Sequence, residues 1–164
     1  MKIDMIPLLF ERNPAAEIDT NITLSETFPG VKLGELTLLG KVKNSAGHIM
    51  LTLQVKGSYT AQCDRCLVET EHELDFLLEK PVAVAGTIQD DTDEEYLYIV
   101  ENELDIMPTL IEAVTFEIPT KILCSDECLG LCTGCGVDLN QSKCSCGEKK
   151  IDAQWEKIKK MLDE

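Results

Sequence analysis

Eight cysteines constrain the fold of this 164-residue chain more than any other feature of its sequence. They form two sets of four, namely Cys63, Cys66, Cys124 and Cys128, then Cys132, Cys135, Cys144 and Cys146. Closely spaced thiols bind metal or carry out redox chemistry in a reducing compartment, whereas they form disulfides in an oxidising one. The compartment therefore decides how the cysteines are interpreted.

The sequence contains no pattern typical of export or of membrane insertion. Its apolar stretches, such as residues 6–10, are far shorter than the ~20 residues that span a bilayer. The first apolar run is broken by Asp4 and Pro7, unlike the core of a secretory signal. We therefore expect a cytoplasmic protein with reduced thiols and no membrane partner.

The later cysteine set predicts a zinc-knuckle segment near the C-terminus. Eight residues separate the pair Cys132 and Cys135 from the pair Cys144 and Cys146. A C-x-x-C pair bends the chain so that both sulfurs point to one centre, and two Cys pairs match tetrahedral zinc with Zn–S distances of about 2.3 Å. Residues 130–147 contain only three sizeable aliphatic side chains. Ordering a residue costs roughly 1–2 kcal/mol and a structural zinc contributes roughly 10–16 kcal/mol, so metal can order a segment that packing cannot.

The earlier set would tie Cys63 and Cys66 to Cys124 and Cys128 through a second zinc ion. Closing the long loop between the pairs costs roughly 3–4 kcal/mol, which is less than zinc binding supplies. An alternative grouping would place these four together: Cys124, Cys128, Cys132 and Cys135. Iron also accepts four thiolates, so the sequence predicts two metal ions, with zinc expected and iron not excluded.

Alternation of apolar and polar residues predicts a strand-rich fold. The clearest strands are predicted over residues 36–43, 49–59 and 68–78. Weaker patterns predict strands near residues 3–8, 22–28, 82–85 and 96–100. Residues 44–47, with the sequence Asn-Ser-Ala-Gly, suit a hairpin turn between the first two clear strands.

Residues 105–117 are predicted to form a helix, with Asp105 as the N-cap and Pro108 in the first turn. A second, short helix is predicted from Asp152. The predicted fold class is α+β: an antiparallel β-sheet or partly open barrel-like meander, with one or two helices and a C-terminal zinc-knuckle segment. We expect a β-rich core with one helix over residues 1–122 and a cysteine-rich, zinc-binding segment with the terminal helix over residues 123–164, packed as one compact unit.

Several of these segments together resemble the YceD family, which is named for large ribosomal RNA subunit accumulation. The resemblance rests on Tyr59–Leu67 with its C-x-R-C motif, Glu117–Pro119 leading to Cys124, Cys128–Asn140, and Cys144-Ser-Cys146 before the terminal helix. It covers about residues 30–162. The resemblance implies a compact α+β domain that is needed for normal levels of large-subunit ribosomal RNA.

The charge of the chain favours a protein partner. The net charge of −15, from 15 basic and 30 acidic residues, repels phosphate backbones and attracts basic proteins. Residues 81–120 alone contain ten acids and no Lys or Arg. Together with the resemblance, this predicts a non-enzymatic zinc-binding accessory factor in ribosome biogenesis that binds a basic ribosomal protein or assembly factor.

Two alternative functions stay open. In the first, the lysine-rich C-terminal end contacts ribosomal RNA directly, and the candidate contacts are Lys143, Lys149, Lys150 and Lys157. In the second, Cys63 and Cys66 form a thiol redox pair, although such a motif normally opens a helix and here more strand pattern follows. No catalytic residue is assigned, because a four-thiolate shell leaves no open position for water at the metal.

Overall fold

The computed structural model describes residues 1–10, 15–24, 28–87, 95–146 and 161. It divides into two compact units. Unit 1 comprises Met1–Gln62 and Glu69–Ile122, and unit 2 comprises Cys63–Val68 and Leu123–Glu164. The segment Cys63–Val68, which the sequence analysis placed in the β-rich core, is therefore part of the cysteine-rich unit.

Unit 1 contains eight strands and two helices within the described residues. In chain order they are β1 (Lys2–Asp4), α1 (Ile6–Phe10), β2 (Ala15–Ile22), β3 (Val31–Leu33), β4 (Leu36–Ser45), β5 (His48–Gln62), β6 (Glu69–Val84), β7 (Leu97–Val100), β8 (Glu103–Asp105) and α2 (Met107–Glu117). None of the described helices is long and apolar enough to cross a membrane.

The strands form one sheet in the order β1-β8-β7-β6-β5-β4-β2, and β3 pairs with β5 beside this path. Every pairing is antiparallel except that of β6 with β7, which is parallel. The sheet is curled into a half-barrel. The α+β fold class is thus confirmed, while the parallel pair departs from the antiparallel sheet expected from the sequence.

Strict alternation along β4, β5 and β6 places one apolar face in the core. On β5, for example, Leu51, Leu53 and Val55 are fully buried, whereas the intervening residues are at least partly exposed. On β6 the same period of two exposes the acidic residues and turns Leu74 and Leu78 inward. These faces form a single cluster of buried side chains with residues of the shorter strands and of α2.

The hairpin turn between β4 and β5 forms where the sequence predicts it. Ala46 and Gly47 both have positive φ angles, 52° and 92°, as a tight two-residue hairpin turn requires. The Asn44 side-chain oxygen accepts a hydrogen bond from the Gly47 N–H at 3.0 Å. Glycine adopts this conformation without steric cost, which explains the residue at position 47 but not Ala46.

The predicted helix begins later than expected. Asp105 ends β8, and α2 begins at Met107 with Ile106 as the N-cap. Asp105 pairs with Lys2 of β1, so its backbone is held in the sheet and not in the helix. Its carboxylate still accepts the Met107 N–H at 3.1 Å, and this bond and the N-terminal ammonium lower the pKa of Asp105.

The structure also corrects the N-terminal prediction. The pattern near residues 3–8 divides into β1 and the short helix α1. The strand expected over residues 22–28 falls partly on residues 25–27, outside the described residues, and the described strand that ends there is Ala15–Ile22. Small residues on β2 weaken its pattern of alternating apolar residues. The strand is instead defined by its backbone pairing with β4, which the sequence pattern does not reveal. The helix predicted from Asp152 lies outside the described residues.

Two neighbouring leucines on β4 test which face is the core. Leu38 is fully buried, whereas Leu39 is 42% exposed. Leu38→Ala is expected to reduce the free energy of unfolding by about 2–5 kcal/mol, because it leaves a cavity. Leu39→Ala should change it by about 0.5 kcal/mol or less. Urea unfolding of both variants measures the difference, and equal losses would contradict the face assignment.

Candidate metal centres

The eight cysteine sulfurs converge in two groups of four, both within unit 2. Quartet 1 consists of Cys63, Cys66, Cys124 and Cys128, and quartet 2 of Cys132, Cys135, Cys144 and Cys146. Within each quartet all sulfurs lie within 4.8 Å of one another. The structure thus shows the first of the two groupings considered from the sequence and separates the cysteines of the alternative one.

The sulfur–sulfur distances suit a tetrahedral metal ion. In quartet 1, Cys63 and Cys128 are 3.8 Å apart, and Cys66 and Cys124 are 3.5 Å apart. In quartet 2, Cys144 lies 3.2 Å from Cys132 and 3.5 Å from Cys135. Four ligands at about 2.3 Å from a central ion would be separated by about 3.8 Å. Each quartet can therefore hold a metal ion with little movement of its side chains.

The two C-x-x-C segments have the same backbone hydrogen bonds. In quartet 1, the Cys63 N–H donates to Val68 O, the Leu67 N–H to Cys63 O, and the Arg65 N–H to Cys63 Sγ. In quartet 2, the Cys132 N–H donates to Val137 O, the Gly136 N–H to Cys132 O, and the Gly134 N–H to Cys132 Sγ. Two segments that share only their cysteines and the final valine, Val68 or Val137, therefore form one knuckle geometry twice.

The residue after the second cysteine of each knuckle adopts a left-handed conformation. Its φ angle is 76° at Gly136 and 62° at Leu67. Glycine accepts this region freely, but a residue with a Cβ pays about 1–2 kcal/mol for it. Leu67 is also 59% exposed, so burial offsets little of this cost. The first knuckle therefore carries backbone strain that the second avoids.

Backbone N–H groups stabilise a thiolate in each quartet. Burial raises the pKa of the Cys63 thiol, but the N–H groups of Cys66, Cys124 and Arg65 outweigh burial and bring it to about 6. The N–H groups of Gly134 and Cys135 lower the pKa of Cys132 to about 6. These two thiols ionise readily, and a thiolate is the form that binds metal.

The other sulfurs of each quartet oppose further ionisation. The Val68 N–H lowers the pKa of Cys66, but burial and the neighbouring thiols of quartet 1 raise it to about 12. Cys135 and Cys144 raise the pKa of Cys146 to about 12. Four thiolates at these separations repel one another strongly, and a cation at the centre would remove that penalty. The donor set thus fits a divalent metal.

Arg65 connects the two halves of quartet 1. Its guanidinium donates to Cys128 O at 2.7 Å and to Asp126 O at 3.4 Å. Its own carbonyl accepts the Leu131 N–H at 3.1 Å. A side chain from the first C-x-x-C thereby positions the segment that carries the second pair of sulfurs.

Asn140 connects quartet 1 to the loop of quartet 2. Its amide nitrogen donates to Cys128 Sγ at 3.4 Å and to Asp138 at 2.8 Å. Its oxygen accepts the Leu129 N–H at 2.7 Å. The Leu139 N–H also donates to Gly130 O, so the loop between Cys135 and Cys144 is bonded to the segment that follows Cys128. Such outer contacts orient metal ligands and their lone pairs.

Comparison with known proteins identifies the family. Residues 51–162 match the model of the family described as large ribosomal RNA subunit accumulation protein YceD. The chain belongs to the YceD family. The matched range contains all eight cysteines, so both quartets lie within the part of the chain that defines membership.

Similar curated proteins include two from mycobacteria and one from a plant. A Mycobacterium tuberculosis protein is 29% identical over 74% of this chain and 59% of its own length. A Mycobacterium leprae protein is 26% identical over 74% of this chain and 57% of its own length. The chain therefore spans less than two thirds of these relatives. The chloroplastic YCED homolog 1 of Arabidopsis thaliana, named as a large ribosomal RNA subunit accumulation protein, is 38% identical over 30% of this chain and 16% of its own length. No solved structure matches the chain.

Of the four lysines considered as RNA contacts, one lies within the described residues. Lys143 is exposed between quartet 2 cysteines, and Lys149, Lys150 and Lys157 lie outside the described residues. The sequence analysis missed Arg65 and Asn140 as supporting residues of this YceD chain. Their only signal was their position inside or beside the cysteine motifs, because the atoms they contact lie far away in the chain.

Exchanging the residues at the left-handed position of each knuckle tests the strain. Leu67→Gly should leave the free energy of unfolding unchanged or raise it by up to about 1 kcal/mol, since glycine relieves the strain. Gly136→Leu should lower it by about 1–2 kcal/mol for the opposite reason. Chemical unfolding at fixed metal content measures both effects.

The matched control is Leu129→Gly, since Leu129 is also exposed but does not have a positive φ. It should destabilise the protein by about 0.5–1 kcal/mol, because glycine only adds freedom to the unfolded chain there. Equal effects of Leu67→Gly and Leu129→Gly would argue against strain in the first knuckle.

Proposed function

We propose that this protein is a non-enzymatic, zinc-binding accessory factor that supports accumulation of large-subunit ribosomal RNA. The observation that carries the proposal is that the YceD match encloses two complete thiol quartets. The family supplies the biological role, and the quartets supply the chemistry. In this proposal, each zinc ion holds unit 2 in shape so that the folded protein can bind its partner.

Zinc is proposed because structural zinc sites are commonly formed by four cysteines and require no redox partner. Iron in a tetrathiolate site would satisfy the same geometry, and metal analysis distinguishes the two. When bound, the ion would cross-link the chain through four thiolates. It would have no open coordination position. The residues that would hold it are the four cysteines of each quartet.

A structural role is favoured over thiol exchange by burial. Cys63 is fully buried and Cys66 is 6% exposed, whereas a thiol that attacks a disulfide needs access to it. Each of these sulfurs also has partners beyond its own C-x-x-C pair. The first motif therefore suits metal binding better than the redox alternative.

The proposed partner is a basic ribosomal protein or assembly factor. The chain carries a net charge of −15, and its acidic residues outnumber the basic ones two to one. Charge of this sign speeds association with positively charged surfaces and opposes contact with phosphate backbones. The partner is accordingly proposed to be a protein and not bare RNA.

Metal content is the direct test of the chemistry. The purified protein is expected to contain two zinc ions per chain, and Cys66→Ser or Cys144→Ser should each remove one of them. Ser145→Ala is the control, since Ser145 lies between two quartet 2 cysteines and offers no sulfur ligand. Mass-spectrometric metal analysis is combined with free-thiol counts before and after chelation. A folded, metal-free protein with eight reactive thiols would disprove the zinc sites.

The ribosomal role is tested in cells. Deleting the gene should lower the ratio of large- to small-subunit ribosomal RNA, and the wild-type chain should restore it. A variant with Cys66→Ser and Cys144→Ser should fail to restore it, while Ser145→Ala should succeed. Ribosome profiles on sucrose gradients measure the outcome, and an unchanged ratio after deletion would remove the proposed role.

A further inference from the structure

Strand β6 has one side without a neighbouring strand over most of its length. β5 pairs with it from Glu69 to Val82, but β7 pairs only with Val82–Val84. Within the part of the chain that the structure describes, no strand bonds to the other side of β6 over residues 69–81. We call this side the open edge of β6. Unpaired strand edges are the sites at which extended segments add to a sheet.

The hydrogen bonds between β5 and β6 determine which residues of β6 point their backbone groups to the open edge. The Gly34 N–H donates to Ser58 O at 2.9 Å. The backbone N–H and C=O groups of even-numbered β5 residues therefore point to β3, and those of odd-numbered β5 residues point to β6. Odd-numbered β5 residues are paired with even-numbered β6 residues, as in Val55 with Phe76. The N–H and C=O groups of odd-numbered β6 residues therefore point away from β5, to the open edge.

Two further observations agree with this parity. Ala85, just beyond the strand, donates to Ile99 O of β7 at 3.1 Å, on the side of the open edge. Pro81, which has no N–H to donate, occupies an odd-numbered position of β6. At such a position proline removes no hydrogen bond from the ladder with β5.

The same odd-numbered residues carry a row of carboxylates. The exposed acidic residues of this row are Glu69, Glu71, Glu73, Asp75 and Glu79. Lys32 pairs with Glu69 at 2.8 Å and Lys56 with Asp75 at 3.2 Å. Among the described residues, Glu71, Glu73 and Glu79 form no ion pair. Free backbone groups and uncompensated negative charge thus belong to the same residues.

We propose that the open edge of β6 binds an extended segment of a basic protein, which adds as a strand and carries Lys or Arg at every second position. Side chains on neighbouring strands stand about 4.5–5.5 Å apart, so alternating basic residues would face the carboxylate row directly. Backbone hydrogen bonds supply binding, and the alternation of charge supplies register. The choice of a basic protein as partner rests on the function proposed above.

Binding of a synthetic peptide tests the proposal on the purified full chain. The probe is a short peptide in which Lys and Thr alternate, and the control peptide has the same composition with its Lys residues in one block. The alternating peptide is expected to bind more tightly than the control, as measured by titration calorimetry. Only the alternating sequence places all its charges on one face of a strand.

Amide exchange followed by NMR distinguishes strand addition from simple charge attraction. Amides that face β5 should be protected with and without the peptide: Thr70, His72 and Leu74. Amides that face the open edge should exchange rapidly in the free protein and become protected when the peptide binds: Glu71, Glu73 and Asp75. Strand addition predicts this alternate pattern because only every second amide points to the new strand.

Charge variants provide the matched comparison. The double variant Glu71→Gln and Glu73→Gln should bind the alternating peptide roughly threefold to tenfold more weakly, since it loses two cross-strand ion pairs. Glu35→Gln, between β3 and β4, and Glu101→Gln, between β7 and β8, make the same charge change at exposed positions away from the open edge and should leave binding unchanged.

Several outcomes would overturn the proposal: no binding, equal binding of the block peptide, binding without new protection at the odd-numbered amides, or protection of these amides already in the free protein. Protection by a single-stranded RNA in place of the peptide would also overturn it. The experiment needs only purified protein and peptide. It can therefore fail while the ribosomal role stands, and it can succeed even if deletion leaves ribosomal RNA levels unchanged.

Discussion

The close approach of four sulfurs, which would repel one another as thiolates, is the constraint on which each quartet of unit 2 depends. The described buried cluster of this unit contains three cysteines, Cys63, Cys66 and Cys128, with Leu123 and Leu131 packed against them. So little apolar surface cannot offset the entropy of ordering the surrounding loops. The sulfurs that would repel one another as thiolates are also the groups that a cation would hold together. A metal ion held by the quartets, as proposed, would tie the stability of this unit to the ion, which does not apply to unit 1.

Unit 1 is stabilised by ordinary packing. Its cluster of buried side chains draws on the inner faces of the long strands and on α2. Among the described residues, eleven aliphatic or methionine side chains of this cluster are fully shielded from solvent, including Met5, Leu36, Leu104 and Leu110. The long strands β5 and β6 are consecutive, and the first knuckle lies between them in the chain. A single polypeptide therefore combines a hydrophobic core with cysteine quartets.

The repeated knuckle illustrates what local sequence contributes. Both C-x-x-C segments close the same backbone bonds, although one has glycine at the left-handed position and the other has leucine. Cysteine spacing alone was enough to predict that the sulfurs in each segment would converge. The strain at Leu67 was not predictable, because nothing in the sequence near this leucine marks a positive φ. It became visible only in the φ angle of Leu67 in the folded knuckle.

The sequence by itself determined the alternation of the long strands, the hairpin at Asn44–Gly47, the family and the presence of two cysteine sets. These features depend on residues near one another in the chain, where periodicity and spacing carry the information. Tertiary structure decided the grouping of the sulfurs, the parallel pairing of β6 with β7, the late start of α2, and the contacts of Arg65 and Asn140. Each of these joins atoms that are distant in sequence, so only the folded chain brings their partners within reach.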